Sequence, residues 1–184
     1  MPNTAPKQII PLGSGFIYCV EFDGTNIPED AALETDENRL GYIEGGAELA
    51  YTPSTNTIKD DYGIVQRTIL TAEEAILSAS LIAWSSANLD KFAQTARIDE
   101  TTKQGHRIIK IGGIQHDAKK RYLYRFHHPD AEFGDVRVTV VGTQTGGLTL
   151  AFKPEEAGAL ALEVTASSQD SEGTLILYDE EISE

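Results

Sequence analysis

Arg39–Trp84 reads RLGYIEGGAELAYTPSTNTIKDDYGIVQRTILTAEEAILSASLIAW, and its interpretation decides the fold. Leu40–Tyr51 alternates, with Ala47, Leu49 and Tyr51 on one face and Glu48 and Ala50 on the other, so it is expected to be a strand. Pro53 is expected to end or weaken the pairing, because proline has no N–H to donate. Asn56–Asp61 and Ile64–Leu70 flank the Asp-Tyr-Gly of residues 61–63. Aspartate and glycine between two β-prone runs mark a hairpin turn. Thr71 followed by Glu74 would fit a helical capping box. The continuation SLIAWSS favours a strand, and Ala72–Trp84 is read as one. The result is a long hairpin followed by a further strand, a segment suited to building against a neighbouring subunit.

Outward from that stretch, Gly15–Phe22 alternates as a first strand. Residues 23–39 are acidic, contain Pro28, and form a loop with a short helical turn near Glu29–Leu33. A loop of this length is uncommon in a compact domain unless it binds something or orders on assembly. Ser86–Ala93 is the best helix, capped by Ser85 or Ser86, with Leu89 and Phe92 or Ala93 as its apolar stripe. Strands are expected at 107–111, 122–128, 135–143, 147–152, 159–167 and 174–178, with turns at 112–113, 142–147 and 170–173. The fold class is therefore mainly β: a β-sandwich or split barrel with one flanking α-helix and a long hairpin. The organisation is an extended, proline-bearing N-terminal arm at 1–13, one β domain at 14–180 and a C-terminal tail at 181–184. Within that domain lie the 23–39 loop and the 52–72 hairpin region.

The 184 residues suffice for one well-buried core. A net charge of −14 argues against a protein that grips nucleic acid by its phosphates, and no basic footprint stands out. Cys19, the single cysteine, excludes an intrachain disulfide and sits in the apolar run GFIYCVEF as a small buried hydrophobe. No apolar run approaches a membrane span. The N-terminus lacks a signal-peptide pattern, so synthesis in the cytoplasm is expected.

No catalytic, cofactor-binding or metal-ligating set emerges. His127 and His128 are adjacent on a strand and point to opposite faces, so they do not share a metal. His106 and His116 lie in or beside loops. The glycine-rich stretches match no nucleotide-binding spacing, and no GxSxG elbow occurs. Adjacent carboxylates at Asp60–Asp61, Glu73–Glu74 and Glu155–Glu156 read as solvated turns. The run RYLYRFHH at 121–128 mixes arginine with aromatics, as single-strand binders do, but alternation makes it a core or interface strand. Arg125 on it is a candidate for an inter-subunit salt bridge.

Taken in order, GYIEGGAELAYTP, KDDYGIVQRTIL, the Trp84 strand, the segment around Leu89, KIGG, YRFHHPD, DVRVTVVGTQTGGLTLAF and EGTLILYDEE resemble the major tail tube proteins of long-tailed bacteriophages, over about Gly41–Glu180. The resemblance implies a β-sandwich or split barrel with one helix. It implies homohexameric rings that stack into a tube whose lumen is lined by strands from every subunit. It also implies a non-enzymatic virion protein made in the host bacterial cytoplasm. Its implied partners are itself, the tape measure, the tail terminator and the baseplate or distal tail proteins. Double-stranded DNA would pass through without specific binding.

On this reading Lys59, Asp60, Asp61, Tyr62, Gln66, Arg67 and Arg125 are the inter-subunit candidates. Glu48 and Glu163, outward on otherwise apolar strands, are the candidate lumen residues. The arm, the 23–39 loop and the acidic tail are expected to order when neighbours arrive. A monomeric β-sandwich that binds carbohydrate through Trp84 and the tyrosines, and a small β-rich enzyme using His127 or His128 with a carboxylate, are the competing readings.

Overall fold

A computed structural model of the chain describes residues 14–132, 134–150 and 158–181. The expected arm at 1–13, the tail beyond Glu181 and the Glu155–Glu156 pair lie outside the described residues. Nine strands are described: β1 (Phe16–Glu21), β2 (Arg39–Lys59), β3 (Gln66–Trp84), β4 (Arg97–Asp99), β5 (Ile108–Lys110), β6 (Tyr122–His128), β7 (Val136–Gln144), β8 (Leu160–Ala166) and β9 (Ile176–Glu180). Seven of them form one antiparallel sheet in the order β6-β1-β2-β3-β8-β7-β9, and a β6–β7 pairing closes it into a ring. β4 and β5 form a separate two-stranded ribbon.

The ring follows from period-two patterning. In β7, Val136, Val138 and Val140 are buried, and in β8 so are Leu160, Leu162 and Val164, while Ala161 and Glu163 between them are exposed. Val138, Val140, Leu160, Leu162 and Val164, together with Ile17, Cys19, Leu40, Leu77, Leu81 and Tyr124, fill the interior. Gly142 lets β7 reach β8, since a Cβ there would sit 2.1 Å from the Thr165 carbonyl oxygen. Burial pushes the Cys19 thiol up to about 12 from an ordinary 9.0. Cys19 is therefore expected to stay unlabelled by a thiol reagent at about pH 8 in the native protein and to react fully on unfolding. Rapid native labelling would show that β1 is not packed in this interior.

The ring has a second apolar layer outside it. Residues 23–39 fold back over the outer face of β1, β6 and β7, where Leu33 packs with Tyr18, Phe22, Leu123 and Val141. The short helix α1 (Asp30–Leu33) falls within the helical turn expected there. The loop is thus packed on its own subunit, and Leu33 is fully buried.

Three other local expectations are corrected. Residues 86–91 form a 3-10 helix, with Ser85 Oγ accepting from the Ala87 N–H at 3.2 Å. The flanking element is therefore not an α-helix; Leu89 and Phe92, three apart, suit the tighter turn equally well. Pro53 does not stop β2, because the strand pairs only with β3 there and an edge tolerates a missing N–H. Residues 147–150 carry no strand, and 151–152 lie outside the described residues.

Candidate functional site

β2 and β3 have two different halves. From Gly41 to Leu49, and from Leu77 to Trp84, they belong to the ring. Beyond that, Tyr51–Lys59 and Gln66–Glu74 pair only with one another and are exposed on both faces. Nine residues of strand at ~3.3 Å each make a ribbon roughly 30 Å long. An isolated two-stranded ribbon is marginal in water. Here cross-strand bonds help hold it: Thr57 Oγ1 lies 2.9 Å from Thr68 Oγ1, and the Tyr51 hydroxyl donates to Glu73 Oε2 at 2.7 Å. Thr71 is the extra residue of a bulge opposite Ser54 and Thr55, and its hydroxyl donates to the Ser54 carbonyl at 3.1 Å.

At the tip, Asp60 is consumed by the turn. Its carboxylate accepts from the Val65 N–H at 2.8 Å and its carbonyl accepts from the Gly63 N–H at 3.0 Å, with Gly63 at φ +68°. Lys59, Asp61, Tyr62, Gln66 and Arg67 are left exposed around it. Tyr62 is 86% and Ile64 82% exposed, and Val65 and Ile58 are also open to water. The sequence singled out Lys59, Asp60, Asp61, Tyr62, Gln66 and Arg67 at the tip but passed over Ile58, Ile64 and Val65. Alternation gives those three no buried face, and that is the signal which would have found them.

The second surface is the open face of the β2-β3-β8 sheet. Glu48 pairs in register with Ser78, and Ser78 with Glu163, so the two candidate lumen carboxylates flank one serine across three strands. The next row is Glu44, Ser80 and Ala161. The other face of the same strands carries Leu49, Leu77 and Val164 toward the interior. One face of this sheet is thus apolar and buried, and the other is small, hydroxylic and acidic. Neighbouring strands lie ~4.8 Å apart, which puts Glu48 and Glu163 about 10 Å apart. At that distance in water their repulsion is weak and screened, so any effect of such carboxylates is collective.

Arg125 is not on an assembly surface. It is 4% exposed; its Nε donates to Thr139 Oγ1 at 2.9 Å, and its Nη1 pairs with Asp30 and, at 3.5 Å, with Glu34. Arg137 joins Glu34 at 2.8 Å and Asp135 at 3.2 Å. His127 lies between Glu34, 3.1 Å from Nδ1, and Asp135, 2.9 Å from Nε2. The hydrogen bond from His127, helped by Arg137, holds the Asp135 carboxyl below its ordinary range. The cluster fastens the 23–39 strap to β6 and β7. His128 turns to the other face, with Nδ1 2.7 Å from the Ser14 carbonyl. Among the described residues no group of three His, Cys, Asp or Glu could hold a metal ion.

Trp84 and Tyr42 line one open pocket together with Arg39, Leu40 and Asn88. Trp84 packs against the interior and its indole N–H points at the Gly158 carbonyl, 3.4 Å away. The Arg39 guanidinium stacks on Phe16 at 4.8 Å and on Tyr42 at 5.5 Å. No family model matches the chain, and no curated protein sequence matches it.

Proposed function

We propose that this chain is the structural subunit of a bacteriophage tail tube, without catalytic activity. Copies assemble into hexameric rings that stack, the acidic β2-β3-β8 face turns toward the channel, and double-stranded DNA passes through during ejection without specific binding. The other partners in this proposal are the tape measure, the tail terminator and the baseplate or distal tail proteins, and its place is the tail of a virion made in a bacterial cytoplasm. The observation that carries the reading is the projecting ribbon with its apolar tip, which has no use in a monomer. Exposed β edges and apolar tips drive uncontrolled association unless a defined partner covers them, and closed symmetric assembly supplies such a partner. The Ser78 row supports the channel half of the reading, because its carboxylates Glu48 and Glu163 repel phosphates and it carries no cation to hold them.

Sedimentation of the purified protein over a wide concentration range tests assembly: discrete large species are expected, and a single monomer boundary throughout would contradict it. For the channel, phage carrying Glu48→Gln and Glu163→Gln is expected to assemble tails normally and eject DNA more slowly. Unchanged ejection kinetics would remove these residues from the lumen.

A further inference from the structure

β9 leaves an open edge beside the ring. β7 carries β8 and β9 one after the other along the edge opposite β6, and among the described residues β9 pairs with β7 alone. The Glu181 N–H donates to the Asp135 carbonyl at 2.9 Å and the Ser167 N–H to the Val141 carbonyl at 2.7 Å, so the odd-numbered residues of β7 face this side. In antiparallel alternation their register partners Leu177 and Asp179 bond to β7, while Ile176, Tyr178 and Glu180 turn their N–H and C=O groups outward. No group among the described residues engages those outward atoms. An unpaired row of this kind is a template for one more strand.

A pocket of about 340 Å³ opens beside that edge. Tyr178 of β9, Val136 of β7, Phe126 and His128 of β6 and the Gly45–Ala47 bulge of β2 line it. His128 is 6% exposed; its Nδ1 donates to the Ser14 carbonyl at 2.7 Å, and its Nε2 has no partner. In the neutral ring that second nitrogen is an acceptor. The pocket therefore combines apolar walls with one buried, unused acceptor. Asp179 and Glu180 on the edge strand are exposed, and among the described residues no cation pairs with either. Glu180 is the register partner of Val136, so this carboxylate lies next to the pocket.

We infer, independently of the tube reading, that β9 takes an added strand from another protein: an extended, cationic segment that places one aromatic residue in the pocket. The outward groups of Ile176, Tyr178 and Glu180 supply the main-chain bonds, and the pocket supplies the selectivity, as in other strand additions. Tyrosine suits the pocket best. Its ring meets Phe126 and Val136, and its hydroxyl is the donor that His128 Nε2 lacks. Lysine or arginine along the segment meets Asp179 and Glu180 at the rim, where charge sets partner choice and rate. A second copy of this chain is the poorer occupant, because its net charge is −14 and β9 is itself acidic.

A fluorescein-labelled peptide, Lys-Val-Lys-Tyr-Lys-Val-Lys, tests this on the dilute full chain by anisotropy. Saturable binding is expected below about 1 mM peptide. Replacing the two inner lysines of the peptide by proline removes main-chain donors and should weaken binding at least about tenfold. Glu180→Pro in the protein removes an outward N–H without costing a bond to β7; it should weaken binding about tenfold and move the thermal midpoint by no more than a few degrees. Amide hydrogen exchange locates the contact. The N–H groups of Ile176, Tyr178 and Glu180 should exchange fast in the free chain and at least about tenfold more slowly with the peptide bound. No saturable binding, equal binding of the proline peptide, or binding that leaves those three amides unprotected each overturns the inference and leaves the tube reading standing. Protection of the same amides when the chain is concentrated without peptide would assign the edge to a second copy and overturn it as well.

Discussion

Cutting the hairpin back to a two-residue Asn-Gly turn between Tyr51 and Ala75 is expected to leave a folded monomer that no longer assembles. The removed residues are exposed on both faces, and none belongs to either apolar core. The thermal midpoint should therefore move by no more than a few degrees. Assembly should respond strongly. Tyr62, Ile64, Val65 and Ile58 are the large apolar side chains most open to water on the ribbon, and buried anchors of this kind dominate interface energetics. Losing two anchors at about 2 kcal/mol each raises the assembling concentration by about 1,000-fold. Calorimetry together with sedimentation reads both effects. A truncated protein that assembles like the wild type would show that the ribbon is not an interface.

The second large effect is on the fold. Arg125→Ala is expected to cost about 3 kcal/mol, the low end for breaking a buried ion pair. The low end applies because Glu34 keeps Arg137 at 2.8 Å and His127 at 3.1 Å after the guanidinium is gone. Thr139 loses its partner, and Asp30 loses its contact with the buried side chain. The strap should loosen first, so limited proteolysis within 23–39 is expected to accelerate together with a lower urea midpoint. Acid should act on the same cluster. The carboxyl of Asp135 is held below its ordinary 3.8, so its contribution is whole above that value and is lost as pH falls through the lower native value. A variant within about 0.5 kcal/mol of wild type, with an unchanged cleavage pattern, would mean that the cluster does not fasten the strap.

These two regions differ in how far the sequence could reveal them. β8 was legible because one face meets the interior and the other does not, which leaves clean alternation at Leu160, Leu162 and Val164; β7 shows the same valine alternation at Val136, Val138 and Val140, although Thr139 and Val141 on its outer face are buried too. β6 is buried on both faces, and its alternation fits a core strand and an interface strand equally, which leaves Arg125 on the outer set as an inter-subunit candidate. Nothing local to β6 says that residues 23–39 return over it; Leu33 is one leucine in a polar, acidic stretch. Of the candidate surfaces, the hairpin was legible from its turn chemistry, and the outward placement of Glu48 and Glu163 from strand alternation. Their common row through Ser78 depends on the β3–β8 register, which pairs residues more than eighty positions apart.

The central claim is that this chain builds a hollow polymer. Negative-stain electron microscopy of the purified protein, from dilute to concentrated, tests it most directly. The account predicts six-fold rings with an open centre that stack into tubes as concentration rises, and their disappearance in the hairpin truncation. A uniform field of small monomeric particles at every concentration, with thermal stability that rises on adding a glycan ligand, would contradict it and favour a monomeric binding module.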